Sequence, residues 1–117
     1  MKRYSKTPVG AHYGLGDWLL QRLTALVMAV YTVGFLACLA THAPSTYGDW
    51  KAIFSGTFAR LATMLFFVAL LYHAWIGMRD ILMDYIKPVS LRLALEVAVV
   101  ALLIAYAGWS IQILWSV

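Results

Sequence analysis

A chain of 117 residues has room for at most one domain. Its residues are 63% hydrophobic and only 12% charged, where soluble globular proteins carry about a quarter charged residues. That composition is that of an integral membrane protein and leaves no room for a soluble catalytic domain. The net charge of +4 does not describe a nucleic-acid surface, because the basic residues sit outside the apolar runs and no basic patch alternates with aromatics.

From Met1 to Gly16 the chain is polar, with Lys2, Arg3 and Lys6, and Pro8 and Gly10 argue against a long helix. A basic start before an apolar run resembles a signal peptide, but the run from Trp18 to Ala40 is longer than the about 7–15 residues of such a segment. It is expected to be a retained first membrane span over about residues 18–40, with Asp17 as its N-cap. Crossing the hydrocarbon takes about 20 apolar residues, and Leu23 to Ala40 supplies eighteen without a charge. Arg22, one turn inside the start, either snorkels to the headgroups or meets an anionic group. The lone cysteine, Cys38, has no intrachain disulfide partner and reads as a small buried apolar residue.

Thr41 to Thr57 is the first connection. His42 to Gly48 has loop chemistry, Asp49 to Phe54 reads as a short interfacial turn with Trp50 at headgroup level, and Ser55-Gly56-Thr57 offers a restart. A second span is predicted over about residues 58–84, stopped by Pro88, and a third over about 90–115. Arg92 and Glu96 stand at i, i+4 and are spaced to pair on one helix face. The fold class expected is therefore all-α, three transmembrane helices in one anchor domain (1–117) that forms part of a heteromeric bundle. Seven basic residues (Lys2, Arg3, Lys6, Arg22, Arg79, Lys87, Arg92) fall on one side of that arrangement and two (Lys51, Arg60) on the other. The excess of basic residues predicts a cytoplasmic N-terminus and a periplasmic C-terminus.

The second span carries the chemistry. From Leu61 to Met78 no residue bears a formal charge, and His73 is the ionisable side chain in that run. At about 100° per residue, Ala62, Phe66, Ala69, His73, Gly77, Asp80 and Asp84 share a stripe roughly 80° wide, while Trp75 and Arg79 point elsewhere. The small residues of the stripe admit a flat ligand or a neighbouring helix. An ionisable residue inside a membrane marks function by default, against the plainer alternative of an interhelical hydrogen bond that fixes packing. His12 in the leader and His42 at the outer end of the first span read as solvated or interfacial. If His73 ligates a haem iron, a six-coordinate site takes its other axial ligand from another subunit or another copy, because no other histidine of the chain lies at that depth. Met64 and Met78 share a helix with His73 and do not reach across the ring. Tyr85 has a phenol that can donate to a quinone carbonyl, and Asp84 a carboxylate that can relay protons. The alternatives are an aromatic-belt tyrosine and a helix-end charge paired with Lys87.

The stretch His73 to Leu93, HAWIGMRDILMDYIKPVSLRL, with Gln21 to Ala25 (QRLTA) opening the first span, closely resembles the hydrophobic membrane anchor subunits of bacterial succinate dehydrogenase (complex II). The resemblance covers nearly the whole chain. It implies a non-catalytic subunit with a share of a quinone-reduction site and partners in a second membrane anchor (cytochrome b) subunit, an iron–sulfur subunit and a flavoprotein. It also implies a place in the bacterial inner membrane, in the respiratory chain and the tricarboxylic acid cycle. Residue by residue it implies His73 as an axial ligand of haem b, Arg22 near the haem propionates, Tyr85 as the quinone hydrogen-bond donor and Asp84 as its acidic neighbour. Gly16 departs from relatives that carry a histidine there, and Arg79 and Asp80 add charge beside the quinone-side turn. The two other readings are the anchor of a quinol:fumarate reductase and a cofactor-free structural adaptor.

Overall fold

The computed structural model describes residues 14–117, so the leader with Lys2, Arg3, Lys6, Pro8, Gly10 and His12 lies outside the described residues. Four helices follow in order: α1 (Leu15–Thr41), α2 (Tyr47–Ile53), α3 (Thr57–Tyr85) and α4 (Val89–Trp115). Three of them are long and apolar enough to cross a membrane. The chain is thus an all-α membrane protein, and the short α2 stands where the interfacial turn was expected.

Helix ends follow local chemistry with one correction. Asp17 is not the N-cap of α1; the helix begins two residues earlier, behind Gly14 at φ 98°. That left-handed conformation suits glycine, which has no Cβ to clash. Asp17 falls in the first turn instead, where its charge complements the helix dipole and is free to act across the bundle. The α2 helix opens with a reciprocal capping box: the Asp49 backbone N–H donates to Thr46 Oγ1 at 3.1 Å, and the Thr46 N–H donates to Asp49 Oδ2 at 3.2 Å. Pro88 caps α4, lacking an N–H where none is needed, and its carbonyl accepts from the Arg92 N–H at 2.9 Å.

The α3 helix is central: α1 packs on one side of it and α4 on the other. Cross-helix partners nest in antiparallel order, with Asp17 bonded to Arg79, Thr24 to His73 and Tyr31 to Thr63. On the α4 side, Arg60 Nη2 donates to the Val117 carbonyl at 2.6 Å and ties the start of α3 to the end of α4. Trp75 faces α4, lining a hollow with Leu93, Glu96 and Val100, as its position off the histidine stripe predicted. The spaced pair Arg92 and Glu96 forms no ion pair, and Asp84 forms none with Lys87; among the described residues the ion pair present is Arg79–Asp17.

The buried residues are few: Thr24, Thr63, Ala69, Ile76, Leu82 and Leu114. Most leucines, valines and aromatics of all three long helices are exposed. In water that surface would aggregate. In lipid it costs nothing, because hydrocarbon solvates it as well as a neighbouring helix does, and association rests on close packing and interhelical hydrogen bonds. The stripe of Phe66, Ala69 and His73 is the face that supplies both. Phe66 stacks on Tyr31 with ring centroids 4.6 Å apart, Ala69 is buried, and the buried threonines Thr24 and Thr63 make hydrogen bonds across the seam.

Candidate functional site

Polar side chains of α1 and α3 gather around a cavity at the Arg79 end of the bundle. Its volume is about 760 Å³, within the about 300–1,000 Å³ range of small-molecule and cofactor sites. His73 lines it from α3, with Asp80 and Arg79 nearer its mouth; Gln21, Arg22 and Asp17 line it from α1. Geometry explains the sorting. His73 lies six residues before Arg79, which is about 9 Å along a helix, so the imidazole sits below the level at which charges begin.

His73 is held from both ring nitrogens by α1. Its Nδ1 lies 3.0 Å from Thr24 Oγ1, and its Nε2 lies 3.4 Å from Gln21 Nε2. The Thr24 hydroxyl also contacts the Leu20 carbonyl at 2.7 Å and the Gln21 carbonyl at 3.1 Å. Gln21 Oε1 is buried without a hydrogen-bond partner.

Arg22 brings a cation to the same cavity, its guanidinium 4.5 Å from the centre of the Trp18 ring. A cation over an aromatic face is attracted by the ring quadrupole and keeps its N–H donors free at the edges. Arg79 was expected to point away from the histidine stripe, and the fold corrects this. Its backbone direction diverges from the stripe, but the long side chain returns to bond Asp17 on α1 and lines the cavity.

Asp84 and Tyr85 stand apart from this cluster. Both are exposed on the last turn of α3, Tyr85 with 78% of its surface open, and neither lines the cavity. Asp84 shares the stripe in projection, but the cavity ends at Met83 and Asp80. Tyr85 lies twelve residues beyond His73, about 18 Å along the helix, on the two turns that extend past the charge-free run. Gly77, a small residue of the stripe, has open space where a Cβ would stand, so crowding there is not imposed by this chain.

Gln21 and Thr24 are the neighbours of His73 that sequence reading passed over. The signal was present: two polar side chains at i, i+3 inside an apolar helix both need partners within the membrane.

The residues fit a haem. One imidazole lines a cavity of cofactor size and a cation stands at the same wall for an anionic substituent, while the long Gln21 contact at Nε2 would give way to a metal. His73 is the histidine within a long helix among the described residues; His42 sits past the end of α1.

A sequence profile of the family described as "Succinate dehydrogenase/Fumarate reductase transmembrane subunit" matches residues 3–107. The chain is 42% identical over 102 residues to the succinate dehydrogenase hydrophobic membrane anchor subunit of Coxiella burnetii, covering 87% of this chain and 89% of that one. It is 31% identical over 98 residues to the subunit of the same name from Rickettsia conorii, covering 81% and 76%. The counterpart from Rickettsia typhi is 30% identical, covering 84% and 75%.

Proposed function

Because the chain belongs to the family of succinate dehydrogenase hydrophobic membrane anchor subunits, we propose that it helps bind haem b and completes a quinone-reduction site. In this reading it holds the flavoprotein and iron–sulfur subunits to the cytoplasmic face of the inner membrane. The observation that carries the haem assignment is His73, an imidazole set below the charged level of α3 and opening onto a cavity that Arg22 shares. Bound there, a haem supplies one-electron redox chemistry between the soluble subunits and the membrane. His73 Nε2 would hold its iron from this chain, with a further ligand from the second membrane subunit. Arg22, raised over Trp18, would neutralise a propionate. The curated relatives carry succinate dehydrogenase names, which supports succinate oxidation over fumarate reduction as the working direction.

The quinone end of the site is the last turn of α3. Tyr85 and the adjacent Asp84 are both exposed on that turn, which in this reading lies where lipid meets water. Reducing a quinone takes two electrons and two protons. The phenol stabilises charge as it develops on the carbonyl oxygen, and the carboxylate passes protons from water. The chain alone oxidises nothing.

Replacing His73 with Ala in the assembled complex tests the haem assignment. The expected result is loss or conversion of the low-spin haem spectrum, since the iron loses an axial nitrogen. An unchanged spectrum and midpoint potential would remove His73 from the ligand set.

A further inference from the structure

The hydrogen-bond accounting around His73 assigns a role to Thr24. Thr24 is buried at 8% exposure on α1, and its hydroxyl has one proton to give. That proton has a fixed destination. The Oγ1 lies 2.7 Å from the Leu20 carbonyl oxygen, a separation that two oxygens hold only with a hydrogen between them. This is the i−4 back-bond that a helical threonine makes when no water reaches it. The contact at 3.0 Å to His73 Nδ1 therefore runs the other way: the ring N–H donates and the Thr24 oxygen accepts.

We propose that Thr24 is a positioning residue that holds His73 in the Nδ1–H tautomer and reserves the Nε2 lone pair for iron. The tautomer of a metal-binding imidazole is set by the bond its other nitrogen makes. At Nε2 the polar neighbour is the Gln21 amide, at a long 3.4 Å, which a ligand to that nitrogen would displace. A second pair in the same seam obeys the same rule. Thr63 back-bonds to the Ala59 carbonyl at 2.7 Å and so accepts from the Tyr31 hydroxyl at 2.7 Å. Thr24 thus does at the histidine what Thr63 does at a tyrosine, with the difference that the donor it engages leaves a lone pair on the far side of the ring.

Accepting from Nδ1–H also makes the imidazole a stronger ligand. Removing the acceptor weakens the axial bond and disfavours the ferric state, which moves the haem midpoint potential to more positive values. The inference rests on His73 being the axial ligand and concerns how this chain orients it.

The test uses the assembled complex, reading haem content per complex, the low-spin spectrum and the midpoint potential. Thr24→Val keeps the shape and removes the oxygen; Thr24→Ala removes it with a smaller side chain; Thr24→Ser restores it. The expected result is haem affinity lowered about 10- to 100-fold and a positive shift of potential in the Val and Ala variants, with both values returned to wild type by Ser. Wild-type haem content and potential in Thr24→Val would overturn the proposal. So would a loss that Ser fails to repair, or failure of both hydroxyl-free variants to assemble, since either makes Thr24 a packing residue of the seam. His73→Ala in parallel separates the two levels. If it retains the spectrum, the ligand assignment itself fails; if it loses haem while Thr24→Val does not change, the positioning role alone is wrong.

Discussion

Tyr85 and His73 stand on one helix about 18 Å apart along its axis, and the residue-scale prediction exploits that separation. Tyr85 is 78% exposed, so Tyr85→Phe removes a hydrogen-bond donor without disturbing packing. A donor that strengthens as charge develops on the substrate contributes to the rate as well as to binding. Quinone reduction by the complex is expected to fall about ten- to a thousandfold, while succinate oxidation with a soluble artificial acceptor and the haem spectrum stay as in wild type. Asp84→Asn is expected to slow the same membrane reaction less, because water reaches that exposed position. Wild-type quinone turnover in Tyr85→Phe would return the tyrosine to the aromatic belt. The histidine was legible as a candidate because an ionisable group in a charge-free span has few other reasons to be there. Its neighbours were not, because a threonine in a helix is common and its partner lies 49 residues away.

Among the elements, α2 is the one whose stability is written in local bonds. Its Asp49 carboxylate accepts from the Ser45 and Thr46 backbone N–H groups and from the Ser45 hydroxyl. The Ser45 backbone bond, then its hydroxyl and then Thr46, hold the Asp49 carboxyl below its ordinary value. The sign follows: a lowered folded-state value means the ionised box stabilises α2 at neutral pH and loses that contribution only as pH falls through the acidic range below the ordinary carboxylate value. Protection of the Ser45 and Thr46 amides from hydrogen exchange, relative to the intrinsic rate at each pH, is expected to be high at neutral pH and to fall in acid, and Asp49→Asn to blunt that fall. Thr46→Ala removes the other half of the box and is expected to cost about 0.5–2 kcal/mol of local helix stability, read from protection at neutral pH. A pH-independent protection in the wild type would show that the carboxylate does not hold the turn. The sequence marked this stretch as an interfacial turn. The box turned it into a helix because Thr46 and Asp49 stand at the spacing at which each side chain reaches the other's backbone N–H.

For the whole molecule, the antiparallel packing of α1, α3 and α4 puts Arg22, Arg79, Lys87 and Arg92 at one end and Lys51 and Arg60 at the other. From the basic excess we propose that the first end faces the cytoplasm. Reporter fusions after Ser90 are expected to report a cytoplasmic location and fusions at Val117 a periplasmic one. The opposite pattern would carry Tyr85 away from the soluble electron donors and break the quinone assignment with it. The surface of the isolated chain fits the same picture. Its apolar side chains face outward on all three long helices, as they must in a subunit surrounded by lipid and by other membrane chains.

The amino-acid order alone determined three spans, their ends to within a few residues, the sidedness of the basic residues and His73 as the ionisable group within a span. Those properties add up along the chain: hydrocarbon forces each apolar run to satisfy its own backbone as a helix, and charges are excluded from it one residue at a time. Tertiary structure decided which faces meet. It brought Gln21 and Thr24 to the two ring nitrogens, turned Arg79 back to Asp17, left Arg92 and Glu96 unjoined and set Asp84 outside the cavity. In water an apolar stripe announces which face of a helix is buried. In lipid both faces are apolar, so helix rotation and register are fixed by close packing and by a few buried polar bonds, and those form only when two distant segments lie side by side.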